Sequence, residues 1–285
     1  MRRKIGIAGV QMFVWAGEIQ KNLSIMKDSL KYITALYKYV DMIFFSELSL
    51  YGVPFADWRK AAEPIPGPLS GQLCSIAAKT KKWLIPGTLY ERDGDAVYNT
   101  AIVISPQGDI VAKYRKMFPW QPHEKTTPGQ EFCVFDVPDV GRFGLCICYD
   151  MWIPEMCRTL AWMGAEAIIH PTMTTTADRA QELILARANA IFNQFYFLDV
   201  NGVGFGGVGQ SLFVDPNGRV LQSAQSSESL IMAEEIDLET VRLVRQNGTA
   251  GVSPILRQFK AFKGSFPPYE QGLAKGEGFK NLKEL

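Results

Sequence analysis

The chain has 285 residues, enough for one large domain with a sizeable core or for two small ones. Its 30 Lys and Arg stand against 29 Asp and Glu, a net charge of +1, so the basic excess of a nucleic-acid-binding surface is missing. Hydrophobic residues make up 47% and charged ones 21%, as in an ordinary globule, and no run approaches the roughly 18 apolar residues that cross a bilayer.

Five cysteines (Cys74, Cys133, Cys146, Cys148 and Cys157) are too sparse for a disulfide scaffold, and no C-x-x-C pair occurs. With His123 and His170 the only histidines, no metal site is expected. Reduced thiols and a cytoplasmic location follow. Met1-Arg2-Arg3-Lys4 ahead of IGIAGVQMFVWAG has the outline of a short signal peptide. Gln11 interrupts that stretch, no A-x-A site follows, and Ile5, Ile7, Val10 and Met12 read instead as a buried first strand.

Strand and helix patterns then alternate. A β-rich opening, Lys4–Met12, leads to Glu18–Val40, where Ile19, Leu23, Met26, Leu30, Ile33 and Tyr37 recur at helical spacing. DMIFFSEL (Asp41–Leu48) is an apolar run of the kind that makes a strand buried on both faces. A helix is expected over Leu69–Lys81, β structure over WLIPGTLYE, and hairpin turns at Glu91–Asp95 and Ser105–Asp109. FCVFDV and RFGLCICYD are strands, and a helix opens at Pro154, where proline suits the first turn. EAIIHP is a strand, Asp178–Gln194 a helix, FYFLDVNG a strand, and QSLFVDPNGRVLQSA a hairpin. This order makes a layered α/β domain over residues 1–250, without a linker or an internal repeat. Gly251–Leu285, with three prolines and five glycines, reads as an extended tail on the domain or on a partner subunit. Gly202–Gly207 fits G-x-G-x-x-G, but a strand rather than a helix follows, so a tight glycine loop is expected and not a dinucleotide site.

The chemistry concentrates where an apolar strand runs into Cys148 shortly before the Pro154 helix. A thiol at such an elbow points to the carboxyl end of a sheet, where open α/β sheets place their active sites, and turn N–H groups there can face an oxyanion. Cys146 lies two residues deeper on the same strand and reads as structural, as do the other cysteines. Glu47 closes DMIFF-S at a strand end, where a lone buried carboxylate is costly unless paired or functional. Lys116 sits in Lys113-Tyr114-Arg115-Lys116-Met117-Phe118-Pro119-Trp120, where basic residues meet an apolar bend. His170 closes its strand as a packing residue or a support behind the site.

Ser46-Glu47-Leu48, Tyr114-Arg115-Lys116 and Leu145-Cys146-Ile147-Cys148-Tyr149-Asp150 with Pro154-Glu155 together resemble the nitrilase, or carbon–nitrogen hydrolase, superfamily. The resemblance runs from about Lys4 to Ile236 and implies a four-layer αββα sandwich that pairs into an eight-layer homodimer. It implies Glu47 as general base, Cys148 as nucleophile forming a thioester, and Lys116 with the Tyr149 N–H as oxyanion stabilisers. A nearby ammonium is expected to favour the thiolate. Glu124, eight residues after Lys116 in a loop similar to that of aliphatic amidases, would hold the amide nitrogen and position the lysine. Amide hydrolysis without a cofactor is the implied activity, releasing ammonia or a small amine. N-carbamoyl amidohydrolase or omega-amidase activity is the alternative, ahead of a true nitrilase, whose usual Trp-Glu after the cysteine is absent. A catalytically idle binding subunit would require loss of a catalytic residue, and all are present. Relatives acting on acidic substrates often carry arginine just after the Cys-x-Asp segment. Met151-Trp152 stand there, which points to a neutral substrate with an apolar or aromatic acyl group. Tyr51, Trp120, Tyr149, Trp152 and Thr172 complete the expected substrate contacts, with Arg179 or Thr174–Thr176 as a possible source of a carboxylate contact.

Overall fold

The computed structural model describes residues 3–225 and 228–266. Two sheets form the middle of the molecule. The first contains β1 (Lys4–Gln11), β3 (Val40–Phe45), β4 (Trp83–Ile85), β5 (Thr88–Asp93), β6 (Ala96–Ile104), β7 (Ile110–Arg115) and β15 (Leu230–Asp237). Its order is β15-β1-β3-β4-β6-β5, with β7 paired on β6, and β1, β3 and β4 run parallel. The second sheet contains β8 (Cys133–Val137), β9 (Gly141–Leu145), β10 (Ala167–Thr172), β11 (Tyr196–Asn201), β13 (Leu212–Val214) and β14 (Val220–Ser223). Its order is β14-β13-β11-β10-β9-β8, with β9, β10 and β11 parallel. A short parallel pair, β2 (Phe13–Val14) and β12 (Val203–Gly204), ties the two halves at one edge.

The period-two pattern of β1 decides the layering. Ile5 and Ile7 join the core between the sheets with Phe44, Phe143, Leu145, Phe197 and Phe213. Ala8 and Val10 face the other way, onto α1 (Ile19–Leu36) and α3 (Pro68–Thr80). Leu23, Met26, Leu30 and Ile33 of α1 and Leu69, Leu73 and Ala77 of α3 fill that outer layer. A short α2 (Trp58–Ala61) lies between them in sequence. Across the second sheet, α4 (Pro154–Trp162) buries Met156 and Leu160 and α5 (Arg179–Asn193) buries Ala186 and Ala190. Each large side chain so buried contributes about 1.5–3 kcal/mol. The result is a four-layer αββα sandwich. Among the described residues no helix is long and apolar enough to cross a membrane.

Two expected elements end early, for reasons that matter to the site. Helix α1 stops at Leu36 rather than Val40, because Val40 is drawn into β3 opposite Gly6. Strand β3 stops at Phe45 rather than Leu48, because Leu48 adopts φ +47° and the chain turns sharply. Glu47 is thereby delivered to the strand's carboxyl end. The described part of the last segment also departs from an extended tail. After α6 (Glu239–Asn247), residues Ile255–Ala261 form α7. The Gln194 side chain holds the Ser253 carbonyl and the Leu256 N–H, and Phe259 packs 5.5 Å from Trp162 of α4. Residues 267–285 lie outside the described residues.

Close approach of the sheets depends on Gly9. A Cβ there would lie 2.5 Å from Val200 and 2.7 Å from Phe213. Gly9→Val is therefore expected to lower stability by about 1–3 kcal/mol in urea denaturation, the usual range for overpacking. Gly71→Ala, where nothing lies within 4 Å, is expected to leave stability unchanged or raise it by about 0.5–1 kcal/mol.

Candidate active site

Three strand ends bring distant residues together. Glu47 follows β3, Lys116 follows β7, and Cys148 follows β9 after the two-residue step Cys146-Ile147. The loop after Lys116 folds back and supplies Glu124. Lys116 Nζ donates to Glu47 Oε1 at 2.8 Å and to Glu124 Oε2 at 2.7 Å. Asn99, in the middle of β6, adds a bridge that nothing in its sequence context announces. Its Nδ2 donates to Glu47 Oε1 at 2.7 Å and to Glu124 Oε1 at 2.9 Å. The only available signal was a polar residue inside the apolar strand AVYNTAIVI. Glu124 further accepts the Trp120 N–H at 3.1 Å and the Thr126 hydroxyl at 2.9 Å.

Burial makes these charges matter. Lys116 and Glu47 are each 2% exposed. Burial alone would push the Lys116 ammonium down, but the Glu47 and Glu124 carboxylates outweigh it and hold the group well above its ordinary value. Burial pushes Glu124 up, yet the Lys116 charge and its hydrogen bond leave that carboxyl below the usual range. One cation thus serves two carboxylates, leaving a net negative cluster. The Cys148 thiol lies against it. Its enclosed position and then the Glu47 charge push the thiol well above its ordinary value, and Lys116 only partly offsets them. The Lys116 ammonium favours the thiolate, as expected, but burial and the Glu47 charge work against it.

Cys148 itself adopts φ +48°, opening a 3₁₀ turn that runs to Trp152. Such a conformation persists in a non-glycine residue only when its surroundings enforce it. Asp150 does much of this. One carboxylate oxygen accepts the Ile147 N–H at 2.8 Å and the Tyr114 hydroxyl at 2.7 Å, and the other accepts the Phe118 N–H at 2.9 Å. The elbow and the lysine loop are therefore fastened to one side chain. His170, at the end of β10, lies behind the elbow with Nε2 3.0 Å from the Cys148 carbonyl oxygen.

A cavity of about 740 Å³ opens above this cluster, lined by Glu47, Lys116, Glu124 and Cys148. Its walls are Val53, Phe55, Trp58, Tyr90, Trp120, Met173 and Phe205, with His123 and Lys125 towards the exterior. Of the expected substrate contacts, only Trp120 lines it, stacked on His123 at 4.2 Å. Tyr51 is fully buried behind the wall, with its ring 4.8 Å from Tyr90. Thr172 gives its carbonyl to the Glu47 N–H at 3.2 Å and its hydroxyl to Thr174. Tyr149 and Trp152 stack on each other at 6.2 Å outside the cavity lining, and the Trp152 indole donates to Glu182. Arg179 is consumed by buried carboxylates, whereas Thr175 does reach the cavity. The glycine loop at 202–207 closes one side through Gly204 and Phe205, and no helix follows it. Phe55 and Phe205 reach the cavity from loops and Tyr90 from β5, all remote in sequence from the cysteine elbow.

Comparison with known proteins agrees with this architecture. Residues 6–246 match the carbon-nitrogen hydrolase family. The chain is 31% identical over 226 residues to human omega-amidase NIT2, covering 74% of this chain and 79% of that protein. It is 34% identical over 196 residues to a formamidase of Bacillus cereus (strain Q1), covering 67% of this chain and 59% of that one. Among solved structures, Saccharomyces cerevisiae Nit3, of the nitrilase superfamily, superposes with a TM-score of 0.79 at 28% identity, covering 85% of this chain and 93% of its own. With a thiol, a paired lysine and two carboxylates gathered under one cavity of an αββα sandwich, the chain belongs to the carbon–nitrogen hydrolase family and is an amide-hydrolysing enzyme of the nitrilase superfamily.

Proposed function

We propose that the enzyme is a cofactor-independent amidase that works through a cysteine thioester. The observation that carries this reading is the Glu47–Lys116–Glu124 chain lining one cavity with the Cys148 thiol. Glu47 takes the Cys148 proton as the sulfur attacks the amide carbon, so thiolate forms only as it is consumed. Two of the three Lys116 N–H bonds are held by carboxylates, and the third is left to meet the oxyanion together with the Tyr149 N–H. Glu47 then passes its proton to the departing nitrogen, the C–N bond breaks, and ammonia or a small amine leaves the thioester. Water enters, gives a proton to Glu47, and attacks the same carbon. Collapse of that intermediate breaks the C–S bond, frees the carboxylic acid and restores the thiol. Glu124 accepts a hydrogen bond from the substrate nitrogen and, with Asn99, keeps Lys116 aimed.

The cavity walls favour a small neutral amide with an apolar or aromatic acyl group. Tyr90, Trp120, Phe55 and Phe205 supply apolar surface, and two carboxylates at the floor oppose an acidic substrate. A second reading, an omega-amidase, draws on the likeness to NIT2 and on Lys125, an exposed cation on the cavity lining that could meet a distal carboxylate. We further infer a homodimer, cytoplasmic in location, paired through α4 and α5. Met156 and Leu160 of α4 are spent inside the subunit, but Trp162 is 53% exposed and Ile184 of α5 68%.

Cys148→Ala is expected to abolish turnover with the fold retained by circular dichroism, whereas Cys146→Ala retains substantial activity; exchanged outcomes would remove Cys148 as nucleophile. Glu47→Gln and Lys116→Ala should each lower kcat by about a hundredfold or more, and Glu124→Ala should also lose activity. Near-normal turnover of Glu124→Ala would leave it a mere loop acid. An ammonia-release screen over neutral amides, ω-amido acids, carbamoyl compounds and nitriles identifies the substrate. Within it, kcat/KM for a neutral amide should exceed that of its ω-carboxylate analogue. A preference of about tenfold or more for the acid, about 1.4 kcal/mol in transition-state binding, would move the enzyme to the omega-amidase reading. Light scattering at micromolar concentration should give at least twice the subunit mass, as for a homodimer or higher homo-oligomer, and a monomer would refute the pairing.

A further inference from the structure

Behind the elbow lies a second cluster of buried charges that the reaction above does not use. His170 is fully buried and stands beside Asp199 as its register partner on the parallel neighbour strand. Its Nδ1 is 2.6 Å from Asp199 Oδ1, and its Nε2 is 3.0 Å from the Cys148 carbonyl oxygen. A carbonyl oxygen can only accept, and so can an ionised carboxylate. Either neutral tautomer would leave a bare ring nitrogen pressed against an acceptor. Only a ring carrying both protons makes both contacts.

We propose that His170 is a buried imidazolium that acts as a positioning residue, holding the Cys148 carbonyl and with it the left-handed backbone of the nucleophile. The charges around it balance on this assignment. Arg179, from α5, donates to Glu182 Oε2 at 3.0 Å, to Asp199 Oδ2, and to the Gln210 carbonyl at 2.8 Å. Glu182, also on α5, accepts in addition the Thr174 hydroxyl at 2.6 Å. Two carboxylates against Arg179 alone would leave an uncompensated buried negative charge; His170 as a cation brings the quartet to neutrality. Burial pushes the Asp199 carboxyl up, but Arg179 and His170 outweigh it and keep it below the usual range, hence ionised and accepting. The apolar Phe197 ring lies 5.0 Å away. His170 does not line the cavity, so it acts through Cys148 and not on substrate. A charged donor on the carbonyl of a residue at φ +48° holds that conformation more firmly than a neutral one.

The inference rests on Cys148 as nucleophile only for its catalytic consequence, and the test separates the two. The chain has two histidines, so long-range ¹H–¹⁵N correlation of the wild-type enzyme resolves both rings, with His123 the exposed one. The His170 ring of the wild-type enzyme in neutral buffer should carry protons on both nitrogens. A bare ring nitrogen on His170 there overturns the proposal. In kinetics, His170→Phe keeps the ring's bulk but neither donor, and should lower kcat by about tenfold or more with KM within about threefold. His170→Gln, whose amide can reach the same carbonyl, should recover most of kcat. Equal kcat in the Phe variant and the wild type, or a Gln variant no better than Phe, would overturn the positioning role. Should the Phe variant fail to fold, the wild-type ring spectrum still decides the imidazolium. Turnover by Cys148→Ala would remove the nucleophile reading while leaving the ring spectrum unaffected.

Discussion

The ammonium of Lys116, buried between Glu47 and Glu124, is the contact around which the catalytic end of the molecule is arranged. A lone lysine in that position would be driven to lose its proton, and either glutamate alone would be driven to gain one. Held together at 2.7–2.8 Å they compensate one another, and Asn99 donates to the same Glu47 oxygen as the lysine and to the other oxygen of Glu124. Removing the lysine would leave two carboxylates unpaired, and breaking a buried pair typically costs about 3–5 kcal/mol. The cluster is also an electrostatic instrument. Burial and then the Glu47 charge push the neighbouring thiol above its ordinary value, and the ammonium offsets them only in part.

Parallel strands make this cluster possible. In each sheet the carboxyl ends of parallel neighbours lie on one edge, so β3 and β9 release Glu47 and Cys148 towards a common space. Antiparallel β7 reaches the same space by pairing on β6, whose Asn99 backbone carbonyl receives the Lys116 N–H at 2.8 Å. Face-to-face packing of the sheets, with Phe44 and Phe213 5.6 Å apart, brings the edges into register. Small errors at the site would be costly, since displacements near 1 Å can lower rates about a hundredfold. That sensitivity explains why Asp150 and His170 are spent on holding the elbow from two sides.

The cavity walls have a different origin. Val53, Phe55, Trp120 and Phe205 belong to loops outside the regular strands and helices, and Trp58 opens the short α2. Loops of this kind vary without disturbing the layers that carry the catalytic groups, which is how one sandwich can serve different acyl groups. Cross-links restrain them: the Val53 N–H donates to the Phe205 carbonyl at 2.9 Å, and Trp120 stacks on His123.

Periodicity located α1, α3, α4, α5 and most strands of both sheets, because burying one stripe of α1 or both faces of β3 leaves a pattern in the residues themselves, whereas α2, α6, α7 and β15 went unread. Glu47 and Cys148 stand out where an apolar run ends, whereas Lys116, in a basic stretch, was legible only together with them through the family resemblance. Glu124 was legible only through resemblance of its loop to a known one, since an acid in a polar loop carries no local signal. Partnership was beyond the sequence. That Asn99 bridges two glutamates, that Asp150 ties the elbow to the lysine loop, and that Tyr51 stands behind the wall are consequences of which strands pair and how two sheets stack. The push on the thiol follows from burial and from all the nearby charges together, which no spacing in the chain displays. Composition and spacing determine which groups are present and on which elements; long-range packing alone sets their distances, and with them their charge.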